Sequence, residues 1–242
     1  MNLLFAVIAA IGGYLFGSIS SARVVVRLAA AQPEVAPIAV DFPGSDIVFE
    51  SDAVSASAVR FQLGARYGCL TAVLDMLKVA IPTLFVRLWQ PDEAYYLVLA
   101  GAGVVGHAWP VYYRFKGGRG ESPILGGLLV IDALGLLVTT GMGWLLGWMT
   151  GNLLVLRWGF LGLMIPWFWL RTHDLPPVVY MVFVNIVYWI AMLPEIRQYF
   201  EFKGQDQAPT QEEMSRFWGM GGYIGRVLDR YSVPALLRHR QG

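Results

Sequence analysis

The sequence predicts an all-α integral membrane protein: a polytopic helical bundle of about seven crossings, followed by a C-terminal amphipathic helix. Of its 242 residues, 56% are apolar and only 14% are charged, whereas soluble domains carry about 25% charged residues. Apolar stretches of the length that spans a bilayer, about 20 residues, recur along the chain. These features exclude an ordinary soluble enzyme and a disordered chain. The formal net charge of +1 predicts no nucleic-acid partner, and the single cysteine, Cys69, excludes an intrachain disulfide.

The first apolar stretch, residues 3–19, predicts an uncleaved transmembrane helix, because its first basic residues follow the apolar core, whereas those of a signal peptide precede it. Four further stretches predict helices in the same way, at 69–86, 95–109, 159–170 and 177–193. Residues 123–150 are long for one crossing and short for two, and Asp132 lies in their middle, where a charge is costly. We therefore expect two short helices that turn at Asp132 and Ala133.

The basic residues indicate which topology is correct. Seven crossings with the N-terminus outside place 15 of the 18 Lys and Arg residues on the cytoplasmic side, with Arg87 and Arg171 outside and Lys78 within a span. Six crossings would move the basic residues of the C-terminal tail outside and erase this bias. The sequence therefore predicts a multi-pass protein of the cell membrane, with a cytoplasmic C-terminus and the lipid bilayer as a partner. The sequence leaves protein partners open.

Two polar regions complete the organisation of the chain. Residues 29–58 are rich in proline and acidic residues and predict a cytoplasmic loop. We divide the chain into a transmembrane domain, 1–200, and a cytoplasmic polar tail, 201–242. In the tail, Thr210 and Glu213 have capping-box spacing, and apolar residues follow at steps of three and four, which predicts an amphipathic helix. This helix lies either on the inner leaflet or against the protein's own cytoplasmic loops.

The most informative local feature is the stretch from Gly106 to Gly120, which reads GHAWPVYYRFKGGRG. Three of its last four residues are glycine, which lets backbone N–H groups turn toward one anion. Three cations in the same stretch can pair with phosphate oxygens. The predicted phosphate-binding residues are Arg114, Lys116, Gly117, Gly118, Arg119 and Gly120. The alternative is a cytoplasmic loop whose glycines only make a tight turn; the Walker A pattern does not occur.

This stretch resembles the glycine-rich motif of the bacterial acyl-phosphate-dependent glycerol-3-phosphate acyltransferases, the PlsY family, which reads roughly G-H-x-F-P-v-f-x-x-F-K-G-G-K-G. Arg119 stands where the family has lysine. Residues 14–21, YLFGSISS, are similar to the family's Y-L-x-G-S-I-P-[ST], and residues 74–78, LDMLK, are similar to its L-D-x-x-K.

The resemblance implies a membrane acyltransferase of phospholipid synthesis. It would move an acyl chain from acyl-phosphate to glycerol 3-phosphate and leave lysophosphatidic acid in the membrane. The candidate catalytic residues are His107, Ser18 and Arg60, and neither a cofactor nor a metal is expected. Asp75 and Lys78, three residues apart on an apolar helix, are predicted to form a structural ion pair.

Two other family motifs are degraded here. The second glycine-rich motif, G-S-G-N-x-G-A-T-N-x-x-R, corresponds to residues 51–60, which keep Arg60 but contain no glycine or asparagine. Near the last apolar stretch, Met192 and Glu195 stand where the family has histidine and asparagine, and methionine cannot exchange a proton. The alternative function is therefore a non-catalytic homologue that keeps the fold and a phosphate- or lipid-binding site. A small transporter, suggested only by the intramembrane charges, ranks last because nothing shows an inverted repeat.

Overall fold

The computed structural model describes residues 1–31, 34–41, 48–204 and 210–239. Parts of the predicted cytoplasmic loop (32–33 and 42–47) and of the tail (205–209 and 240–242) lie outside these ranges. The helices are α1 (Leu3–Gly17), α2 (Ser21–Ala30), α3 (Ala56–Leu63), α4 (Ala65–Trp89), α5 (Tyr95–Ala108), α6 (Glu121–Thr150), α7 (Leu153–Thr172), α8 (Leu175–Gly204), α9 (Gln211–Phe217), α10 (Gly222–Tyr231) and α11 (Val233–His239). One 3-10 turn, Val111–Tyr113, follows α5.

Long apolar helices make up most of the fold. Five segments are long and apolar enough to cross a membrane: Leu3–Ala30, Ala65–Trp89, Glu121–Thr150, Leu153–Thr172 and Leu175–Glu201. Large apolar side chains on their outer surfaces are exposed, including Phe85 at 70%, Leu88 at 74% and Leu137 at 72%. Such a surface is stable when lipid surrounds it. The prediction of a polytopic membrane bundle is confirmed.

Glycines bring α1 and α5 into close contact. A side chain at Gly13 would overlap the backbone of Leu99, and one at Gly17 would overlap the backbone of Gly103. One turn further along, a side chain at Gly106 would overlap the Tyr14 carbonyl. Small residues at such positions let membrane helices approach closely. This contact holds the end of α1, with Ser18, beside the end of α5, with His107.

The long helix α6 reverses direction at Asp132, as the sequence predicted. Asp132 has a non-helical backbone (φ −157°, ψ 83°), and its Oδ1 accepts a hydrogen bond from the Gly135 N–H at 2.9 Å, which caps the second half. Glu121, at the start of α6, lies 2.6 Å from Arg157, while a side chain at Gly147, near its end, would overlap the neighbouring Leu156. A straight helix of this length would measure about 45 Å and could not place both ends beside the start of α7.

The bundle has two distinct ends. We call the end that holds His107, Arg119 and Glu195 the site end. The opposite end holds the Met1–Glu93 ion pair at 3.0 Å, the Arg171–Asp132 ion pair at 2.7 Å, and Arg87, which donates to the carbonyls of Val130 and Ile131.

The count of seven full crossings stays a prediction, because two of the predicted spans are short. Helix α5 has 14 residues and is about 21 Å long, and residues 121–131 are about 16 Å long.

The predicted cytoplasmic loop is more ordered than expected, and it adds one short pair of β-strands to the predicted all-α fold. Helix α2 continues into the first residues of this loop, and α3 begins within its last residues. Between the two helices, β1 (Ile38–Asp41) pairs antiparallel with β2 (Val48–Ser51). The pairing has a physical cause: Ile38 and Phe49 are buried in the main core, at 2% and 0% exposure. Alternation over only four residues was too short a signal to predict strands.

The C-terminal tail also differs from the prediction. The Thr210–Glu213 capping box is present, but three short helices replace the one amphipathic helix, because Gly219 and Gly221 adopt positive φ angles of 77° and 83°. The apolar stripe faces the protein rather than lipid: the Phe217 ring packs on Phe49 at 4.4 Å, and the Trp218 ring packs on Trp158 at 4.7 Å. This favours the second of the two interpretations, packing on the protein's own chain.

Candidate functional site

The glycine-rich stretch folds back over the end of α5. Arg114 and Phe115 have left-handed backbones, with φ angles of 52° and 61°, and the Gly118 N–H donates to the His107 carbonyl at 3.1 Å. A side chain at Gly118 would overlap His107 Nε2. Gly118 is therefore needed for close approach. In this structure the Gly118 amide donates within the fold-back, and its expected contact with a phosphate stays a prediction.

A compact polar cluster lies beneath this stretch. Lys78 Nζ is 2.8 Å from Asp75 Oδ1, so the predicted ion pair forms, and both side chains are buried. The same ammonium donates to the Ile19 carbonyl at 2.7 Å and lies 2.9 Å from His107 Nδ1. An ammonium can only donate, so Nδ1 accepts and the neutral ring carries its proton on Nε2. His107 therefore offers a hydrogen-bond donor toward the glycine-rich stretch.

Ser18 belongs to the same cluster. Its hydroxyl donates to the Tyr14 carbonyl at 2.8 Å and accepts from the Val111 N–H at 3.4 Å. It lines a void of about 10 Å³ with Asp75, Lys78 and His107, which is room for about one water molecule. The structure thus places Ser18 and His107, two of the three predicted catalytic residues, on the same void, with the Ser18 hydroxyl already hydrogen-bonded to backbone.

Arg119 is held by a buried carboxylate. Its Nε donates to Glu195 Oε1 at 2.9 Å, and its Nη2 donates to Ser51 Oγ at 2.8 Å. Ser51 in turn donates to Glu195 Oε1 at 2.6 Å. Arg119 and Glu195 are only 7% and 4% exposed. The residue predicted to bind phosphate therefore also closes an internal ion pair with the glutamate that replaces the family's asparagine.

A larger cavity opens at the site end, with a volume of about 290 Å³. We call it the arginine-lined cavity, because Arg60, Arg119 and Arg157 come to it from three different helices or their flanks. Asp75, His107 and the start of α6 at Gly120–Ser122 also line it. The first N–H groups of a helix have no intrahelical acceptor and favour an anion. Three guanidinium groups and a helix N-terminus make this cavity suited to a phosphorylated ligand.

The other predicted phosphate-binding residues lie elsewhere. Lys116 is exposed and, with Gly117 and Gly118, lines a separate groove of about 700 Å³ that also contains Glu50 and Glu195. Arg114 is exposed and is not among the residues that line the arginine-lined cavity. Only Arg119 and Gly120 of the predicted set line that cavity, and Arg60, predicted as catalytic, joins them.

Sequence reasoning missed Arg157 as a site residue. It begins an apolar helix, so we counted it only as a topological signal. In the structure its Nη2 donates to Glu121 Oε2 at 2.6 Å, and its Nη1 donates to the Trp218 carbonyl.

Among the residues that the structure describes, no group of three His, Cys, Asp or Glu side chains is placed to hold a metal ion.

An apolar groove of about 710 Å³ runs along the outer surface of α1, α5 and α8. It extends from Met1 and Ala94 to Tyr14 and Val105. Its lining is almost wholly apolar and includes Ile11, Leu97, Val98, Val179 and Phe183. Tyr14 and Val105 precede Ser18 and His107 by one helical turn or less, so the groove ends near the polar cluster.

Curated relatives carry one shared name, glycerol-3-phosphate acyltransferase. The protein from Syntrophotalea carbinolica is 33% identical over 139 residues, which cover 57% of this chain and 65% of that one. The protein from Geotalea daltonii is 32% identical over 140 residues, covering 55% and 66%. The protein from Legionella pneumophila (strain Corby) is 32% identical over 135 residues, covering 55% and 44%. The chain thus spans less than two thirds of the length of these relatives.

Solved structures show the same fold. The chain is similar to the crystal structure of PlsY (YgiH), an integral membrane glycerol 3-phosphate acyltransferase, in its glycerol 3-phosphate form, with a TM-score of 0.63 and 22% identity over 84% of this chain and 94% of that one. The lysophosphatidic acid form matches with a TM-score of 0.61. A family model described as glycerol-3-phosphate acyltransferase matches residues 7–201. The chain belongs to the glycerol-3-phosphate acyltransferase family.

Proposed function

We propose that this protein transfers an acyl chain from acyl-phosphate to glycerol 3-phosphate, giving lysophosphatidic acid for phospholipid synthesis. We also propose that it crosses the cell membrane seven times, with its N-terminus outside and its site end in the cytoplasm. Both substrates would then be phosphates that reach the site from the cytoplasmic side or the inner leaflet. Family membership and the two ends of the bundle support this arrangement.

The arginine-lined cavity is the observation that carries the proposal. Arg60, Arg119 and the start of α6 at Gly120 converge on one space of about 290 Å³, close to the size of small-ligand pockets, about 300–1,000 Å³. Clustered guanidinium groups and helix N-terminal amides stabilise the charge of a phosphate and of the phosphate that leaves. The other predicted phosphate-binding residues lie in the neighbouring stretch and act while a phosphorylated ligand approaches this cavity: Arg114, Lys116, Gly117 and Gly118.

The chemistry is a single displacement. The hydroxyl oxygen of glycerol 3-phosphate bonds to the acyl carbon, and the bond from that carbon to the phosphate oxygen breaks. Because Lys78 already occupies His107 Nδ1, His107 acts as a donor through Nε2–H rather than as a base. The leaving phosphate takes the hydroxyl proton. The Asp75–Lys78 pair holds His107 in this orientation through Lys78, and Ser18 lines the same void.

The apolar groove offers a place for the acyl chain. It is open to lipid, it is lined by apolar side chains, and it ends near Ser18 and His107. An acyl chain there would lose little of its lipid-like surroundings, while its phosphate would reach the polar cluster. The groove therefore supports a membrane-resident donor.

The test is an assay of the purified protein in detergent, supplied with acyl-phosphate and glycerol 3-phosphate. We expect release of inorganic phosphate and formation of lysophosphatidic acid. Arg60→Gln should lower kcat/KM by about a hundredfold, since it removes a charged contact to phosphate. Arg66→Gln, an exposed cation six residues along the chain and outside the cavity, is the matched control and should retain activity. Equal activity of parent and Arg60→Gln would contradict the proposed site.

The native cysteine gives a second measurement. Cys69 is exposed and lines the arginine-lined cavity, and it is the only cysteine in the chain. Glycerol 3-phosphate should slow its reaction with a maleimide. If saturating glycerol 3-phosphate leaves the labelling rate unchanged, the ligand does not occupy this cavity.

A non-catalytic homologue is the second candidate, and one observation favours it. The Glu195 carboxylate forms an ion pair with Arg119 and so offsets the charge that a phosphate would need. Met192, buried at 0% exposure, cannot exchange a proton. This candidate predicts glycerol 3-phosphate binding without phosphate release. It further predicts that the double variant Met192→His with Glu195→Asn gains turnover, whereas an active parent enzyme would not need these changes.

A further inference from the structure

The C-terminal segment, residues 210–239, packs into the bundle although the family model ends at residue 201. Met214, Phe217 and Leu228 are buried at 2%, 0% and 1% exposure and belong to the main core. The Gln211 side chain donates to the Gly151 carbonyl at 2.8 Å, which ties the segment to the end of α6. Such burial is typical of a fixed wall of the protein rather than of a solvated tail.

The turn after α9 contacts two of the three cavity arginines through its backbone. The Trp218 carbonyl accepts a hydrogen bond from Arg157, and the Gly219 carbonyl accepts one from Arg60. Trp218 and Gly219 themselves line the arginine-lined cavity. Gly219 has a φ of 77°, which most side chains adopt only with strain, so the turn depends on this glycine.

These contacts leave the arginines able to bind a ligand. A guanidinium has five N–H donors. Arg60 uses one Nη atom on the turn, and Arg157 makes one contact from each of its two Nη atoms, to Trp218 and Glu121, so N–H donors remain on both guanidinium groups. The cavity beneath the turn stays open, at about 290 Å³. The turn therefore lines the cavity without filling it.

We propose that residues 210–239 form part of the acceptor-phosphate site, in which the Trp218–Gly219 turn positions Arg60 and Arg157 for the phosphate of glycerol 3-phosphate. This inference rests on the proposed function and extends it to a segment beyond the family match. Trp218 and Gly219 are positioning residues, since they act through the two arginines. The two carbonyls are neutral and leave the charge of Arg60 in place, whereas Arg157 also pairs with the Glu121 carboxylate.

Calorimetry of glycerol 3-phosphate binding to the full chain in detergent tests the inference. Gly219→Ala strains the turn, and we expect its Kd to rise about tenfold, the scale of one misplaced charged hydrogen bond. Gly221→Ala is the matched control, because Gly221 also has positive φ, at 83°, but its carbonyl accepts from Ser215 and not from an arginine. Its Kd should change less than about twofold.

A double-mutant cycle tests whether Gly219→Ala weakens ligand binding through Arg60 or through a general loss of structure. If the turn acts through Arg60, the penalty of Gly219→Ala should shrink in the Arg60→Gln background. Asparagine tolerates left-handed backbone, so Gly219→Asn should bind nearly as tightly as the parent and is the rescue control. If the alanine variant does not fold, Arg157→Gln takes its place, and unchanged binding by it would contradict the inference, because the turn would then position an arginine that the ligand does not use.

The outcomes are distinguishable. A parent protein that binds while Gly219→Ala binds equally well overturns the inference but leaves the proposed function standing. Tighter binding by Gly219→Ala also overturns it, because the turn would then obstruct the site. A folded parent that binds neither glycerol 3-phosphate nor acyl-phosphate overturns both proposals.

Discussion

Among single residues, Arg119 shows how a contact in the folded chain adds a structural role to a predicted ligand-binding role. Arg119 has the charge of an anion ligand, and Glu195 is conspicuous only as a departure from the family's asparagine. In the structure the two form a buried ion pair, 2.8 Å apart, with Ser51 bonded to both. Burying either charge alone is costly, whereas the pair offsets much of that cost. Loss of Arg119 should therefore affect stability as well as ligand binding.

We predict that Arg119→Ala destabilises the protein by about 3–5 kcal/mol, because it leaves the Glu195 carboxylate buried and unpaired. Adding Glu195→Gln to Arg119→Ala should recover part of this loss. Thermal unfolding in detergent measures both effects. Lys116→Ala, an exposed cation in the same stretch, is the control and should shift stability by less than about 0.5 kcal/mol. Simple additivity of the Arg119 and Glu195 losses would contradict the pairing.

Among the elements, α6 shows most clearly how one polar residue shapes a membrane helix. Asp132 replaces the missing hydrogen bonds at the turn: it caps Gly135, accepts from Trp167 Nε1 at 2.8 Å and pairs with Arg171 at 2.7 Å. The acid is costly inside lipid, but here it sits at a reversal with three partners. The hairpin then returns the chain to the site end.

We predict that Asp132→Ala destabilises the protein by about 2–4 kcal/mol, from the lost helix cap and two lost charge-assisted hydrogen bonds. Asp92→Ala removes an exposed acid from the loop between α4 and α5 and should be nearly neutral. Unfolding midpoints of the two variants in the same detergent give the comparison. Equal midpoints would mean that the reversal does not depend on Asp132.

At the scale of the whole molecule, the helical bundle places the two ends of the chain at opposite ends. The N-terminus lies at the end that holds Glu93 and Asp132, while the C-terminal helices cover the site end. The excess of basic residues at the site end is the reason for our proposal that this end lies in the cytoplasm.

We predict opposite labelling of two introduced cysteines in a Cys69→Ala background. Asp92→Cys should react with a membrane-impermeant maleimide in intact cells, because its loop lies at the N-terminal end of the bundle. Arg230→Cys, on the exposed side of α10, should react only after the membrane is permeabilised. Labelling of Arg230→Cys in intact cells would overturn the proposed orientation.

The sequence by itself determined the membrane class, the main helices and the turn at Asp132. These depend on local properties: about 20 apolar residues satisfy their own backbone in lipid only as a helix, and a charge in their midst needs a turn or a partner. The glycine-rich stretch likewise identified the family, because its residues are contiguous. The ion pair of Asp75 and Lys78 was predictable because it lies within one helix turn.

Tertiary structure alone decided the composition of the site. Arg119 and Glu195 are 76 residues apart, and Arg60 and Gly219 are 159 residues apart, so no spacing rule connects them. The β1–β2 hairpin and the burial of the C-terminal helices also depend on surfaces that exist only once the bundle has formed. Contacts of this kind are selected by packing and by the cost of leaving buried charges unpaired, which are properties of the folded chain and not of any local segment.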